Sequence, residues 1–382
     1  MDNLTHSLVG LVAAKAGLER LSPSATSLCV LAANAPDADI VVLLFGDRWD
    51  FLQQHRGITH SLLGTVCLAL LIPLAFYAGD SILARVKRRA PGVSLKGMLI
   101  ASAVVSATHP LMDWTNNYGV RLLLPWNPKW FYGDLVFIVD PFMWLVLGGA
   151  AFLLTSRTKR QKLGWLALGS VLTLLVVAGS RSGGLSNPNL IRTIWALVIL
   201  LWIILFALKA GERLGVNLAR VSLLLVVLYW SGLAYAHRSA LNTANSEALS
   251  LVRPSGETIL KLAAMPTLAN PLRWDCIFET NRATYRFQVS LANFGQIGRV
   301  VRYEKPNPFL SAAVNQVVED RRVKVFLGFA RFPVATLEDL NCTTRTLVQF
   351  ADLRYTEPGR SRGTFSLELP VDCPNAVPLT TK

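Results

Sequence analysis

The chain has 382 residues, 52% hydrophobic and 16% charged, with a net charge of +14 and a mean hydropathy of +0.40. Soluble domains carry about 25% charged residues, so an ordinary soluble enzyme, a disordered chain and a small disulfide-rich scaffold are excluded. The charges are uneven: 31 fall in residues 1–237 and 31 in the shorter stretch 238–382. A membrane-embedded domain over 1–237 and a soluble domain over 238–382 are therefore expected.

Two apolar stretches, 4–17 and 24–36, come first. A crossing needs about 20 helical residues, so they are expected as a short helical hairpin dipping into the membrane. Six longer runs follow, at about 61–79, 97–113, 136–155, 163–179, 190–208 and 218–237, each suited to a full span. No cleavable signal peptide is evident, because the start lacks a basic n-region. Beyond residue 237, the stretches 241–252 and 309–320 suit helices. Alternating or β-branched runs at 273–280, 283–291, 297–304, 346–355 and 364–369 suit strands. The expected fold is an α-helical polytopic membrane protein with about six full spans plus the N-terminal hairpin, followed by an α+β soluble domain.

The loops orient it. Lys15, Arg20, Arg85 to Lys96, Arg157 to Lys162 and Lys209 to Arg220 place 14 cations on one side, against six on the other. The positive-inside rule assigns the first set to the cytoplasm. A multi-pass protein of the inner (plasma) membrane is expected, with its C-terminal domain extracytoplasmic, the periplasm in a Gram-negative cell. The same loops account for the net charge, and no basic stripe with interleaved aromatics appears, so no nucleic-acid partner is expected. Cys29 and Cys67 fall in apolar runs. Of Cys276, Cys342 and Cys373 in the outer domain, a Cys342–Cys373 disulfide is the expectation, although spacing alone does not fix connectivity.

Four short polar motifs interrupt the apolar sequence. They are Thr5-His6-Ser7, Pro36-Asp37-Ala38-Asp39, His55-Arg56-Gly57-Ile58-Thr59-His60-Ser61 and His109-Pro110-Leu111-Met112-Asp113. Ionisable groups at or inside a membrane cost several kcal/mol unless paired, ligated or hydrated. Taken singly, each has a plainer reading: HxxxD as a local hydrogen bond, PDxD as a helix stop, His55 as a solvated loop residue. Following the spans back and forth, however, brings all four motifs to the same, outer, membrane face. His109 and Asp113 are four apart and share one helix face. Asp37 and Asp39 are two apart and converge only on irregular backbone, which Pro36 favours. Thr5, Ser7, Thr59 and Ser61 offer hydroxyls to orient histidine ligands. Asp140, before Pro141, is a weaker candidate, as a ligand, a supporting carboxylate or a helix cap. The tryptophans near this face are read as the interfacial aromatic belt.

These four motifs, in this order over residues 1–240, resemble the YdjM-like inner-membrane proteins, described as membrane-bound metal-dependent hydrolases. Asp140-Pro141 is similar to longer members with a C-terminal soluble extension. The resemblance implies a metal-dependent hydrolase. From the residues themselves, His6, Asp39, His60, His109 and Asp113 are the candidate metal ligands, for one or two ions. Zinc is expected first, with Mn²⁺ or Fe²⁺ as alternatives. Asp37 or His55 would be the general base, and Arg56 would clamp a substrate oxygen. A site at the outer interface suits a lipid or a lipid-linked phosphate ester. Two rival readings are a non-catalytic membrane protein with a structural metal site and a partner-binding outer domain, and an ion transporter. The nearly pure apolar runs at 62–76 and 163–178 count against the transporter.

Overall fold

The computed structural model describes residues 1–181, 188–339, 342, 344–359 and 365–373. In chain order it opens with helices α1 (Asn3–Lys15) and α2 (Ala25–Asn34), a 3-10 segment (Ala35–Leu44), α3 (Arg48–Gln54) and a 3-10 turn (Ile58–His60). Helices α4 (Leu62–Val86), α5 (Leu95–Trp114), α6 (Pro141–Thr155), α7 (Lys159–Arg181), α8 (Pro188–Ala207), α9 (Ala210–Leu214) and α10 (Val216–Val252) follow. Then come strands β1 (Ile259–Thr267), β2 (Asn270–Thr280), β3 (Ala283–Ser290), β4 (Gln296–Ile297) and β5 (Val301–Glu304). Helices α11 (Pro308–Val317) and α12 (Arg321–Phe329) and strands β6 (Pro333–Leu337), β7 (Arg345–Asp352) and β8 (Ser366–Asp372) complete the order.

The chain divides into two compact units. The first comprises Met1–Asp39, Arg56–Tyr235 and Pro266–Pro271, and the second Ile40–His55, Ala236–Met265 and Leu272–Lys382.

Among the described residues, six segments are long and apolar enough to cross a membrane: Ala25–Leu44, α4, α5, Lys159–Gly179, α8 and α10. The protein is thus a helical membrane protein with an α+β C-terminal part. Six matches the expected number, but the membership differs. The 24–36 stretch does not end as half of a short hairpin; it continues as a 3-10 helix to Leu44 and reaches 20 residues. The 136–155 stretch becomes helical only at Pro141 and is 15 residues long. Asp140 sets that start, its Oδ1 accepting the backbone N–H groups of Phe142 (2.8 Å) and Met143 (3.3 Å) as an N-cap does. Large apolar side chains such as Leu71 and Ile82 on α4, Ile203 on α8 and Leu224 on α10 lie exposed on the helix surfaces, as a lipid-facing surface requires.

In the first unit α1 packs on α2 and α6, and α5 packs on α2 and α4. Small residues make the α1–α2 approach close: a Cβ on Gly10 would meet the Cys29 carbonyl oxygen at 2.6 Å and Ala33 Cβ at 2.9 Å. Membrane helices, lacking a hydrophobic drive toward one another, associate through such close backbone packing. Gly10→Val is expected to cost about 1–3 kcal/mol by overpacking, seen as a lower melting temperature in detergent. An unchanged melting temperature would show that α1 and α2 can part freely.

The second unit holds two antiparallel sheets, one of order β1-β2-β3-β4 with β5 also on β3, and one of order β6-β7-β8. The stretch 241–252, expected as a separate helix, is the C-terminal end of α10. Its alanines at 236, 240, 244 and 248 recur every four residues and pack on Trp274, Phe278 and Phe287 of the first sheet, since positions four apart share one helix face. The expected strand 297–304 is split into β4 and β5. Strand β1, strand β6 and helix α12 had no expectation. Residue 364 of the last expected strand lies outside the described residues, and the strand runs instead over Ser366–Asp372. Cys342 and Cys373 form the expected disulfide, leaving Cys276 free and buried.

Candidate metal centre

The 3-10 segment after α2, the 3-10 turn before α4 and the last turn of α5 bring four donors together in the first unit. These are Asp37, His60, His109 and Asp113, one atom from each lying within 4.8 Å of the others. His60 Nε2 is 3.1 Å from His109 Nε2, 3.2 Å from Asp37 Oδ1 and 3.2 Å from Asp113 Oδ2. His109 Nε2 is 3.6 Å from Asp37 Oδ1 and 3.5 Å from Asp113 Oδ2. His60, His109 and Asp113 are fully buried, and only Asp37 retains some exposure.

The histidines are held by their far sides. His109 Nδ1 lies 2.6 Å from the Ala33 carbonyl oxygen, which can only accept, so Nδ1 carries the proton and Nε2 keeps its lone pair. His60 Nδ1 lies 3.0 Å from Thr59 Oγ1 and 3.5 Å from Asp39 Oδ2. Donation from Nδ1 to that carboxylate gives the tautomer that turns the His60 Nε2 lone pair toward the cluster. In that tautomer two imidazole lone pairs and two carboxylate oxygens face one another, a donor set that a bound cation would satisfy. The separations agree with that. Tetrahedral bonds of about 2.0–2.1 Å place neighbouring donors roughly 3.3 Å apart, and the five distances above run from 3.1 to 3.6 Å. Asp37 Oδ2 and Asp113 Oδ2 are buried without a well-formed hydrogen bond. The donor set of two imidazoles and two carboxylates suits Zn²⁺, Mn²⁺ or Fe²⁺.

The other sequence candidates take distinct places. His6 stacks on His109, ring centroids 3.8 Å apart, with Nε2 3.4 Å from Asp113 Oδ1 and no hydrogen-bond partner on either ring nitrogen. The Met1 amino group also meets Asp113 Oδ1. Asp39 accepts the Arg56 backbone N–H (3.1 Å) and faces the Nδ1 side of His60, the outer-carboxylate position of a carboxylate–histidine–metal relay. Arg56 is buried, with a left-handed backbone (φ 54°). Its NH2 lies 3.2 Å from Asp113 Oδ1, while its NH1 donates to Asn116 Oδ1 (2.8 Å) and the Gly119 carbonyl (3.2 Å). Both ends of the guanidinium are thus engaged by the protein. His55 belongs to the second unit, where it stacks on Phe51. Asp140 caps α6 and accepts from the Tyr229 hydroxyl (2.8 Å). Thr5 serves the α1 cap through Asp2, and Ser61 caps α4. Asn116 and the Ala33 carbonyl had no place in the sequence reading. Asn116-Asn117, three residues after Asp113, was a visible polar signal, whereas a backbone carbonyl leaves none.

Asp39→Asn would keep the acceptor for the Arg56 N–H but remove the charge behind His60. Losing such an outer partner costs about 10–100-fold in metal affinity, measurable by competition with a chelating dye. Unchanged affinity would remove Asp39 from the relay.

Membrane-crossing helices whose polar turns converge on a His/Asp donor set define a multi-pass membrane protein with a site that could hold a metal ion. Residues 1–184 match the model of the YdjM family, described as YdjM inner membrane protein, as the motifs suggested. Protein YfhP of Bacillus subtilis (strain 168) is 26% identical over 155 residues, 38% of this chain and 43% of that protein. Inner membrane protein YbcI of Escherichia coli (strain K12) is 27% identical over 158 residues, 41% of this chain and 80% of YbcI. The chain thus covers less than half of YfhP. No solved structure matches the chain.

Proposed function

We propose that the protein is a metal-dependent hydrolase of the inner membrane, its site at the outer membrane–water interface and its C-terminal domain on the extracytoplasmic side. The observation that carries this reading is the convergence of His60 Nε2, His109 Nε2, Asp37 Oδ1 and Asp113 Oδ2 on one point. A divalent ion bound there, most simply Zn²⁺, would supply Lewis acidity to acidify a water and polarise an ester or phosphoryl oxygen. Asp37 stands at the exposed edge of the set with Oδ2 unpartnered, so it is the group best placed to take a proton from an incoming water. Ala33, Thr59 and Asp39 hold the two imidazoles, and Arg56 holds Asp113. The unpartnered ring of His6 is a ligand for a second ion or a proton carrier. Because the guanidinium of Arg56 serves Asp113, it no longer argues for phosphate over carboxylate esters. The substrate class is therefore an ester of a lipid or lipid-linked group, phosphate esters included.

One observation favours a second reading. Four protein donors can close a tetrahedral site, and closed sites are structural. Purified protein in lipid micelles, stripped of metal and reloaded, separates the two. Hydrolysis of phosphate or carboxylate ester lipids that returns with the ion and is absent in Asp37→Asn supports the enzyme. Restored melting temperature with no hydrolysis of any such ester supports the structural site.

A further inference from the structure

Helices α6, α7 and α8 line an apolar groove of about 700 Å³ in the first unit, and none of the four metal-centre donors is among its lining residues. Its wall includes Leu145, Phe152, Leu166, Gly169, Trp195 and Phe206. The lining on α7 runs from Lys162 to Leu174, roughly 18 Å of helix at 1.5 Å per residue, a length that suits a lipid acyl chain in extended form. The volume falls within the range of small-molecule clefts, about 300–1,000 Å³. A groove between the membrane-crossing helices α7 and α8 and the shorter apolar helix α6, lined almost wholly by carbon, is suited to hydrocarbon rather than water.

The ends differ. Lys162 lines one end, its Nζ 5.3 Å above the Phe206 ring. Close to it along the chain, Arg157, Lys159 and Arg160 lie just before or at the start of α7, and Lys209 and Arg213 lie just past the end of α8 that carries Phe206; all are exposed. Glu212 is the one acid in 156–163 and 208–214. An exposed cationic rim at the mouth of an apolar slot between membrane helices is complementary to one chemistry, an anionic headgroup with a hydrocarbon tail. We infer that this groove is a binding site for an anionic phospholipid, an acyl chain lying between α6, α7 and α8 and the phosphate among Lys162, Lys209 and the 157–160 cations. The site is independent of the hydrolase reading. It is on the side that the charge asymmetry assigns to the cytoplasm, where anionic lipid concentrates the attraction for basic segments.

Two kinds of variant test it. A Cβ built on Gly169 meets nothing within 4 Å, and Gly169 lines the groove, so Gly169→Phe can enter at that position and occupy the slot. Gly232 on α10 is equally open but outside the groove, so Gly232→Phe is the control. Full-length protein is mixed in detergent with equal amounts of phosphatidylglycerol and phosphatidylcholine, and retained lipid is counted by native mass spectrometry. The expected result is one phosphatidylglycerol per chain, retained at least tenfold over phosphatidylcholine, lost in Gly169→Phe and kept in Gly232→Phe. Lys162→Gln and Lys209→Gln leave the apolar wall intact and remove one charge each, and each should weaken retention about fivefold, the usual effect of one cation near an anionic surface. Equal retention of the two lipids, or full retention in Gly169→Phe or in the Lys162→Gln/Lys209→Gln double variant, would overturn the proposal. So would a lipid-free dimer that Gly169→Phe disrupts, which would assign the groove to a second copy of the chain.

Discussion

Protein purified in detergent and reloaded with divalent ion should carry about one ion per chain, and His109→Ala should carry none at the same free-ion concentration. The expectation follows from the donor count. Four side chains reach one point, and His109 supplies one of them while its Nδ1 is fixed by the Ala33 carbonyl. Loss of an outer partner costs about 10–100-fold in affinity, so loss of a direct donor costs more than that. His60→Ala should behave alike, because the two imidazoles face one another across 3.1 Å. Elemental analysis beside protein quantitation makes the measurement. A wild-type protein that stays metal-free after reloading, or two variants that keep their metal, would remove the metal centre and the hydrolase reading with it. Chelation should also lower the melting temperature, because an ion at a thousand times its Kd stabilises the folded state by about 4 kcal/mol.

Arg56→Met should destabilise the first unit by about 3–5 kcal/mol, the cost of stripping a buried charge of its partner. Asp113 is fully buried, and Arg56 NH2 is its guanidinium partner at 3.2 Å. The same side chain ties Asn116 and Gly119 through NH1, so the turn after α5 loosens as well. Arg56→Lys should rescue little, since one ammonium cannot reach both groups with the planar fork of arginine. The double variant Arg56→Met/Asp113→Asn should recover part of the loss, as expected for residues that interact directly. Thermal unfolding in detergent reads all three. An Arg56→Met protein that melts like wild type but fails only on anionic substrates would return Arg56 to the clamp that its sequence position suggested.

The sequence announced the site by cost: His6, Asp37, His60, His109 and Asp113 sit in apolar surroundings where charge is expensive, and all five lie at or beside the centre. The division of labour between Asp37 and Asp39 was not legible. Their segment is a 3-10 helix, with about three residues per turn, so side chains two apart point in different directions. One reaches the Nε2 side of His60 and the other its Nδ1 side, and nothing in Pro-Asp-Ala-Asp says which. Arg56-Gly57 misled in the same way. The left-handed residue is Arg56 itself, while Gly57 has φ −91°, and that turn sends the guanidinium inward to Asp113. Spans were legible from apolar length, except where a local cap decided the boundary, as Asp140 does for α6. In the soluble part, β1 escaped because its burial does not alternate, four consecutive residues being buried; α12 buries Val323, Phe326 and Phe329, a helical spacing that the sequence did carry but over only nine residues.

The donors of the centre are far apart along the chain: Asp37 and His60 are separated by 23 residues, and His60 and His109 by 49. An ion held by all four side chains is therefore a clasp across three separately inserted segments, each of which gives up loop-closure entropy when it is joined. During synthesis the clasp cannot close until α5 has emerged and settled beside α2 and α4. Ion capture would thus be a late step in the biogenesis of the first unit. A chain starved of metal would reach the membrane fully inserted but with the segment after α2, the turn before α4, and α5 unlocked from one another, and so open to the proteases that survey unfinished membrane proteins.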